Sequence, residues 1–524
     1  MRRRPSQLSP RSTALMIVIL AAACFYAVFV LRSSFRIAGE TYFTLIDDAM
    51  VSMRYAHHLA EGYGLVWNVG EKPIEGFTNP GWMLFMAGLH LIQIPAAQIS
   101  AVVMAAAAVI LLLNAYLVYK ICEALHPEAL YAPLIAAGIT AFYFPLVFWT
   151  LRGMEVGVLA CLVSAGVLVA LRLNQNSWQP VAVLSLVLLA AVIVRLDAAL
   201  QALIIALYVL STRKVSLRRS AVPILVIILT AAGILVLQKA YFGDFLPNTY
   251  YQKVVGASLA DRIKNGLLAF NDYATRDTLM LVLFSAAGLL LHKQMRRREF
   301  VMLGLLFLVQ CAYSISVGGD YAEPEVNAAN RFITQGMPAL IILFGVTLDQ
   351  ILSDIRSAHT ALDQARPAFK AAISMGAAVA ALLVISGQPW VNWAIDNAPL
   401  LKADIRRVKI GLAIAQYTAP EATIAVHAAG QIPYYSDRRT IDLLGLNDPV
   451  VAKGPITGPF YPGHDKWNYD YSILQLKPDL IADNWIRLGD FMKGVSSYQQ
   501  LENGMYVRKD STLVEVQGLS GISP

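Results

Sequence analysis

Long apolar runs separated by short polar breaks leave this chain few folds to choose from. Runs able to cross a bilayer lie near 13–31, 98–119, 129–149, 153–171, 179–194, 197–211, 221–241, 278–292, 299–317, 332–351 and 368–388. A helix needs about 20 residues to traverse the hydrocarbon, and several runs reach that length only with their flanks. Of the 524 residues, 57% are hydrophobic and 15% charged, a balance foreign to soluble domains. The expected fold class is a polytopic α-helical membrane protein of about eleven spans with a small extracytoplasmic α/β domain at its C-terminus.

The net charge of +7 is distributed as the positive-inside bias requires. Arg213, Lys214, Arg218 and Arg219 fill one inter-run loop, and Lys293, Arg296, Arg297 and Arg298 fill another. Both loops are expected in the cytoplasm. Nucleic acid is excluded as a partner, because no soluble domain carries a basic face. The amino end, Met1-Arg2-Arg3-Arg4, precedes an apolar run too long for a signal-peptide core, so an uncleaved first span with a cytoplasmic N-terminus is expected. Counting back from Arg213 sends the 98–119 helix inward, and parity then keeps 81–94 from crossing. At about fourteen residues that segment has the length of a re-entrant or interfacial helix. Counting it as a twelfth span is the rival. Cys24, Cys122, Cys161 and Cys311 all lie in or beside apolar runs, so no disulfide staples the polar C-terminal part. Neither they nor His57-His58 show metal-ligand spacing.

Parity gathers the chemically loaded breaks on the outer face: the 32–80 loop, the 150–155 turn, Arg195-Leu196-Asp197, and the 242–277 and 318–331 loops. The first loop holds the acidic pair Asp47-Asp48, where carboxylates are costly at the lipid boundary. From Asp47 to Glu61 the pattern suits a helix stopped by Gly62. At about 100° per residue, Asp47, Arg54, His58 and Glu61 share one stripe, with Asp48 turned toward the flank of Tyr55. Either acid could simply cap the helix. A cap accounts for one Asp and not two. Beyond the helix, Trp67, Asn68, Glu75, Thr78, Asn79 and Trp82 mix aromatics with amides and hydroxyls, which suits sugar binding and also suits a membrane interface.

These residues resemble a family. Asp47-Asp48-Ala49, Arg54-Tyr55-Ala56, Gly62 to Asn68 and Gly76 to Trp82 look like the first outer loop of the GT-C membrane glycosyltransferases. Within that superfamily the likeness is to the bacterial branch that includes the mycobacterial terminal arabinofuranosyltransferase. Gly153-Met154-Glu155, Val194 to Asp197, Pro247 to Lys253, Gly318-Gly319-Asp320, Asn330-Arg331-Phe332, Gly430 to Ser436 and Ile441 to Asp448 match in order. Glu75-Gly76-Phe77 and Tyr250-Tyr251-Gln252 are variants of the family pattern.

The resemblance implies transfer of a sugar from a polyprenyl phosphate to an extracytoplasmic glycan, lipid or protein, with inversion at the anomeric carbon. It also implies that Asp47 is the general base and Asp48 its neighbour. The departing lipid phosphate needs cations at the boundary. Arg195, Lys253 and Arg331 are the candidates, each interrupting or bordering an apolar run. Arg54, Tyr55, His58, Asn68, Glu75, Thr78, Asn79, Trp82, Glu155, Asn248 and Asp320 complete the substrate-binding set. No cofactor is expected; a divalent cation could bridge acids to phosphate, but no ligand motif supports one.

Residues 1–390 are expected to form the membrane domain and 391–524 the α/β domain, with strands at 422–426, 440–444 and 479–482 and a short helix at 428–435. That domain lacks a glycine-rich phosphate fingerprint. Tyr434, Tyr435, His464 and Trp467 are its candidate acceptor contacts. The rival function is a secondary transporter or flippase for a sugar or glycolipid, whose hallmarks would be internal repeats and midplane polar sites. Here no repeat is found, and the polar residues crowd one face.

Overall fold

The computed structural model describes residues 10–521 except 128, 130, 175–176, 274–277, 321–329 and 359–366. The basic triplet at 2–4 and the centre of the 318–331 loop lie outside the described residues. Each of the eleven apolar runs folds as helix, since hydrocarbon offers backbone groups no partner beyond their own segment. In order, they are α1 (Pro10–Arg32), a hairpin of β1 (Phe35–Ile37) and β2 (Glu40–Tyr42), α2 (Asp47–Ala60), α3 (Pro80–His90), α4 (Ala96–Leu125), α5 (Ala132–Phe142) and α6 (Phe144–Leu151). There follow α7 (Val156–Leu171), α8 (Gln179–Val194), α9 (Ala199–Thr212), α10 (Leu217–Phe242), α11 (Asn248–Lys253), α12 (Leu259–Tyr273) and α13 (Leu279–Leu291). The helical part closes with α14 (Arg298–Val317), α15 (Arg331–Thr334), α16 (Met337–Ala358) and α17 (Pro367–Asp396).

Among the described residues, six helices are long and apolar enough to cross a membrane, seven if the bent pair α5–α6 is one span. This is a multi-pass membrane protein. Four further apolar helices, α7, α8, α9 with the turn before it, and α13, are shorter, and a crossing by any of them would draw on its flanks. Helix α3 has eleven residues, so at 1.5 Å each it is about 16 Å long, roughly half the hydrocarbon thickness. It packs on α2 and α8.

The 129–149 run is not one straight helix. Its two halves meet at 48°, because Pro145 cannot donate to the Ala141 carbonyl. The Tyr26 hydroxyl donates to that carbonyl instead at 2.6 Å, while Trp390 Nε1 donates to Phe142 O at 2.7 Å. Two carbonyls at the break thus find partners inside the protein, the condition for irregular backbone at membrane depth. Elsewhere small residues bring helices together: a Cβ on Gly345 of α16 would sit 3.3 Å from the Ala132 carbonyl and from Ala136 Cβ of α5.

Two ends of the bundle differ in chemistry. At one, Lys214 donates to Leu171 O, Arg297 donates to Leu125 O, and Arg298 donates to Ser211 O. Both basic clusters therefore meet at the C-terminal ends of α4, α7 and α9. At the other end of α4, the Ala97 carbonyl accepts from Phe43 N, just ahead of the acidic pair.

On that second end sits the C-terminal unit: α18 (Leu401–Tyr417), β3 (Thr423–Val426), α19 (Gln431–Ser436), β4 (Arg439–Asp442), β5 (Leu480–Ile481), β6 (Tyr498–Gln500) and β7 (Tyr506–Arg508). Its five-stranded sheet has the order β4-β3-β5-β7-β6. Strand β3 runs parallel to β4 and β5, and β7 is antiparallel to β5 and β6. The expected strands fall on β3, β4 and β5. Strands β6 and β7 are three residues each, too short to show a period of two.

The first loop is stitched to this unit. Asn68 Oδ1 accepts from Thr440 N at 3.0 Å, and its amide donates to Thr440 O at 3.0 Å, so the side chain pairs like a strand along β4. Arg54 donates to the carbonyls of Trp67, Pro433 and Arg438.

Candidate active site

The acidic pair opens α2, whose N-cap is Ile46 and carries no side-chain cap. Neither Asp is a cap. Asp47 Oδ1 accepts from Gly430 N at 3.1 Å and Gln431 N at 2.9 Å, both at the start of α19. Among the described residues its other oxygen has no hydrogen-bond partner. Asp48 turns the opposite way and meets Arg331 Nη1 at 2.6 Å.

These surroundings drive the two acids apart. Burial raises Asp47, the nearby Arg407 and the Gln431 amide only partly oppose it, and its carboxyl is pushed up to about 7. Burial also acts on Asp48, but Arg331 and Lys253 outweigh it and hold that carboxyl at about 2. Near neutrality one acid exchanges protons readily and the other stays ionised.

Both acids line a cavity of about 1030 Å³ between the helical bundle and the C-terminal unit. Arg331 enters it because Asn330 caps α15, accepting from Phe332 N and Ile333 N at 3.0 Å each. Besides Asp48, Arg331 faces Asp320 at 3.2 Å. Lys253 is delivered by α11, which clamps onto the C-terminal unit: Asn248 donates to Gly445 O and Leu446 O, and Gln252 to Leu444 O and Gly463 O. Among the described residues, Lys253 Nζ has no hydrogen-bond partner. Burial and the adjacent Arg331 lower its ammonium to about 8.

A second polar wall is built from Arg195. Its guanidinium holds Asp197 through two bonds of 2.8 and 3.1 Å and Glu155 through one of 2.6 Å. Asn79 donates to the other oxygen of Glu155 at 2.8 Å and accepts from Ser52 at 2.8 Å. Two carboxylates thus occupy Arg195, leaving Lys253 as the less committed cation. Glu75, also in the wall, accepts from Gln238 at 3.0 Å, and burial pushes its carboxyl up to about 7.

The cavity thus brings together Asp47, Asp48, Arg195, Lys253, Arg331, Glu75, Thr78, Asn79, Glu155 and Asp320. Six others do not line it. Arg54, Asn68 and Asn248 bind the C-terminal unit as described. Tyr55 donates to Ile74 O and meets Asn447, His58 meets Val66 O, and Trp82 donates to Gly153 O. They shape the loop that carries the acids. Of the acceptor contacts, only His464 reaches the cavity. Tyr434 meets His90, Tyr435 donates to Phe43 O, and Trp467 stacks on Tyr469. Sequence reasoning missed Arg406 and Arg407 on the cavity wall, because α18 reads as an ordinary amphipathic helix. It also missed Trp485. Among the described residues no three His, Cys, Asp or Glu side chains converge as metal ligands.

Other membrane proteins of known structure share this fold. The chain is similar to ArnT from Cupriavidus metallidurans bound to undecaprenyl phosphate, with 16% identity, 82% of this chain and 86% of that one covered, and a TM-score of 0.53. It is also similar to the Archaeoglobus fulgidus oligosaccharyltransferase in the apo form, with 11% identity, 82% and 64% coverage and a TM-score of 0.51. It spans less than two thirds of that longer chain. At such identities the likeness is one of fold. Residues 398–513 match a family model described as "Domain of unknown function (DUF8728)". No curated protein matches the chain by sequence.

Proposed function

We propose that this protein is a membrane glycosyltransferase that moves a sugar from a polyprenyl-phosphate donor to an extracytoplasmic acceptor. The observation that carries the reading is the division of labour between Asp47 and Asp48 in one cavity: a carboxyl near 7 beside one held ionised by Arg331. The fold supports it, and one neighbour of that fold holds undecaprenyl phosphate. By the positive-inside bias, the basic end of the bundle faces the cytoplasm and the cavity opens on the outside.

Asp47 accepts the proton of the acceptor hydroxyl as its oxygen bonds to the anomeric carbon. The carbon's bond to the phosphate oxygen breaks in the same displacement, so the anomeric centre inverts. The bonding pair leaves with the polyprenyl phosphate, whose charge Lys253 and Arg331 stabilise. Asp48 holds Arg331 in place, and the Glu155–Arg195–Asp197 cluster shapes the donor side. The motifs resemble the branch with the terminal arabinofuranosyltransferase, and the transferred sugar is a hexose or a pentose.

The test is turnover of a polyprenyl-phospho-sugar by the full chain in proteoliposomes, followed by release of polyprenyl phosphate. Asp47→Asn is expected to cut release by about a hundredfold or more at normal abundance. Wild-type rates in that variant would remove Asp47 from the mechanism, and sugar uptake without polyprenyl phosphate release would overturn the transferase reading.

A further inference from the structure

The cavity does not stop at the acidic pair. It runs past His464 into the C-terminal unit, where His427, Asp483, Asn484 and Trp485 line it. Of the eight tryptophans, only Trp178 and Trp485 are exposed. Trp178 lies beneath Arg219 at the basic end, where indoles commonly anchor at headgroups. Trp485, 45% exposed, stands over a cavity in the polar unit, away from that end.

Its loop is held there against its own preference. Ile486 and Arg487 have φ of 44° and 58°, and a β-branched residue in the left-handed region is an outlier. Such strain persists only where the surroundings impose it. The Tyr469 hydroxyl donates to Ile486 O at 2.6 Å and meets His427 Nε2 at 3.0 Å. His427 Nδ1 in turn faces Asp483 Oδ1 at 2.8 Å, and Asp483 accepts from the amides of His427 and Ala428. The loop is tied through a closed ring of bonds that leaves the indole outside the core.

Two polar residues line the cavity with the indole, Asn484 as its chain neighbour and His464 in ring contact with it. Asn484 is exposed, and among the described residues its amide has no hydrogen-bond partner. The His464 ring lies 5.2 Å from the indole at 61°, and its electrostatic neighbours are Asp48, Lys253 and Arg331. One imidazole therefore separates the indole from the charged centre. An exposed indole sharing a cavity with an unpaired amide and an imidazole matches the C–H face and the hydroxyls of a sugar ring. The apolar cavity residues Leu200, Ile234 and Leu246 belong to the helical side, the natural path for a lipid donor.

We infer that Trp485, Asn484 and His464 form a saccharide subsite that seats a ring of the acceptor next to the acidic pair. Its role as an acceptor site rests on the transferase reading; its ability to bind sugar does not. The experiment uses the full chain in nanodiscs and saturation-transfer NMR with methyl glycosides of arabinofuranose, mannose and glucose, with undecaprenyl phosphate titrated separately. At least one glycoside is expected to bind wild type. Trp485→Ala should weaken it about tenfold or more, with Trp485→Phe within about threefold of wild type, as loss and retention of a stacking face require. Asn484→Ala, on an exposed side chain that leaves the fold intact, should weaken it severalfold. Undecaprenyl phosphate should bind all variants alike. No glycoside binding by wild type, or equal binding by Asn484→Ala and a folded Trp485→Ala, would overturn the subsite. Failure of wild type to bind undecaprenyl phosphate would instead overturn the donor assignment and leave the glycoside result to judge the subsite alone.

Discussion

Adjacent in sequence, Asp47 and Asp48 are opposite in chemistry, and the pH profile of transfer should record it. Asp47 must shed its proton before it can accept one, so the rate should rise with pH through about 7. Lys253 must keep its proton to face the phosphate, so the rate should fall above about 8. A bell with its top between these values is expected for kcat/KM. Lys253→Arg should flatten the alkaline limb while sparing the acid one, because a guanidinium does not titrate in this range. An unchanged alkaline limb would take Lys253 out of the site. Asp47→Asn should cost about a hundred- to ten-thousandfold, the span of general-base assistance. Asp48→Asn should cost less, since Arg331 can still lean on Asp320, and it should move the acid limb to lower pH, because the charge of Asp48 helps to raise Asp47. The pair itself was legible in the sequence as acids too expensive to be idle at a lipid boundary. Their division was not, because it depends on amides 383 and 384 residues away.

At the scale of elements, the long helices were legible and the junctions were not. Apolar runs report helix directly, whereas the bend at Pro145 depends on whether Tyr26, from another helix, replaces the lost donor. The junction between α2 and α19 is tighter still. A Cβ on Gly430 would lie 1.9 Å from the Asp47 carbonyl oxygen and 2.7 Å from its Oδ1. No side-chain rotation relieves a clash with backbone. Gly430→Ala should therefore push α19 from α2, at about 1–3 kcal/mol by analogy with overpacked cores. Transfer should fall further than this loss of stability implies, since the same shift withdraws both amides from Asp47. Thermal unfolding and turnover measured on one preparation check this. A variant with a lowered Tm and wild-type turnover would show that the amides do not position Asp47.

Over the whole molecule, the bundle, the first loop and the C-terminal unit meet at one buried ion pair. Arg152, just past α6, is fully buried; it pairs with the equally buried Asp404 of α18 and donates to the Thr44 carbonyl at 3.1 Å. Asp404 passes the linkage on, accepting at 2.7 Å from Gln431, whose backbone amide holds Asp47. Neither residue stood out in the sequence, where Arg152 reads as one more basic residue beside a span and Asp404 as one acid of a polar helix. Only packing elements 252 residues apart makes them a pair. Removing one member of a buried pair strands the other's charge, which costs more than the pair contributes. Arg152→Met should therefore destabilise the protein by on the order of 3 kcal/mol, the low end for such sites. The reason is that Arg407 still reaches Asp404 at 3.3 Å. Removing both charges with Arg152→Met and Asp404→Leu should recover much of that loss. Unfolding of single and double variants in the same detergent distinguishes the outcomes. If the double variant is the sum of two large losses, the pair is not the joint between the parts. If stability returns without turnover, the pair's function is to pass a fixed geometry through Gln431 to Asp47.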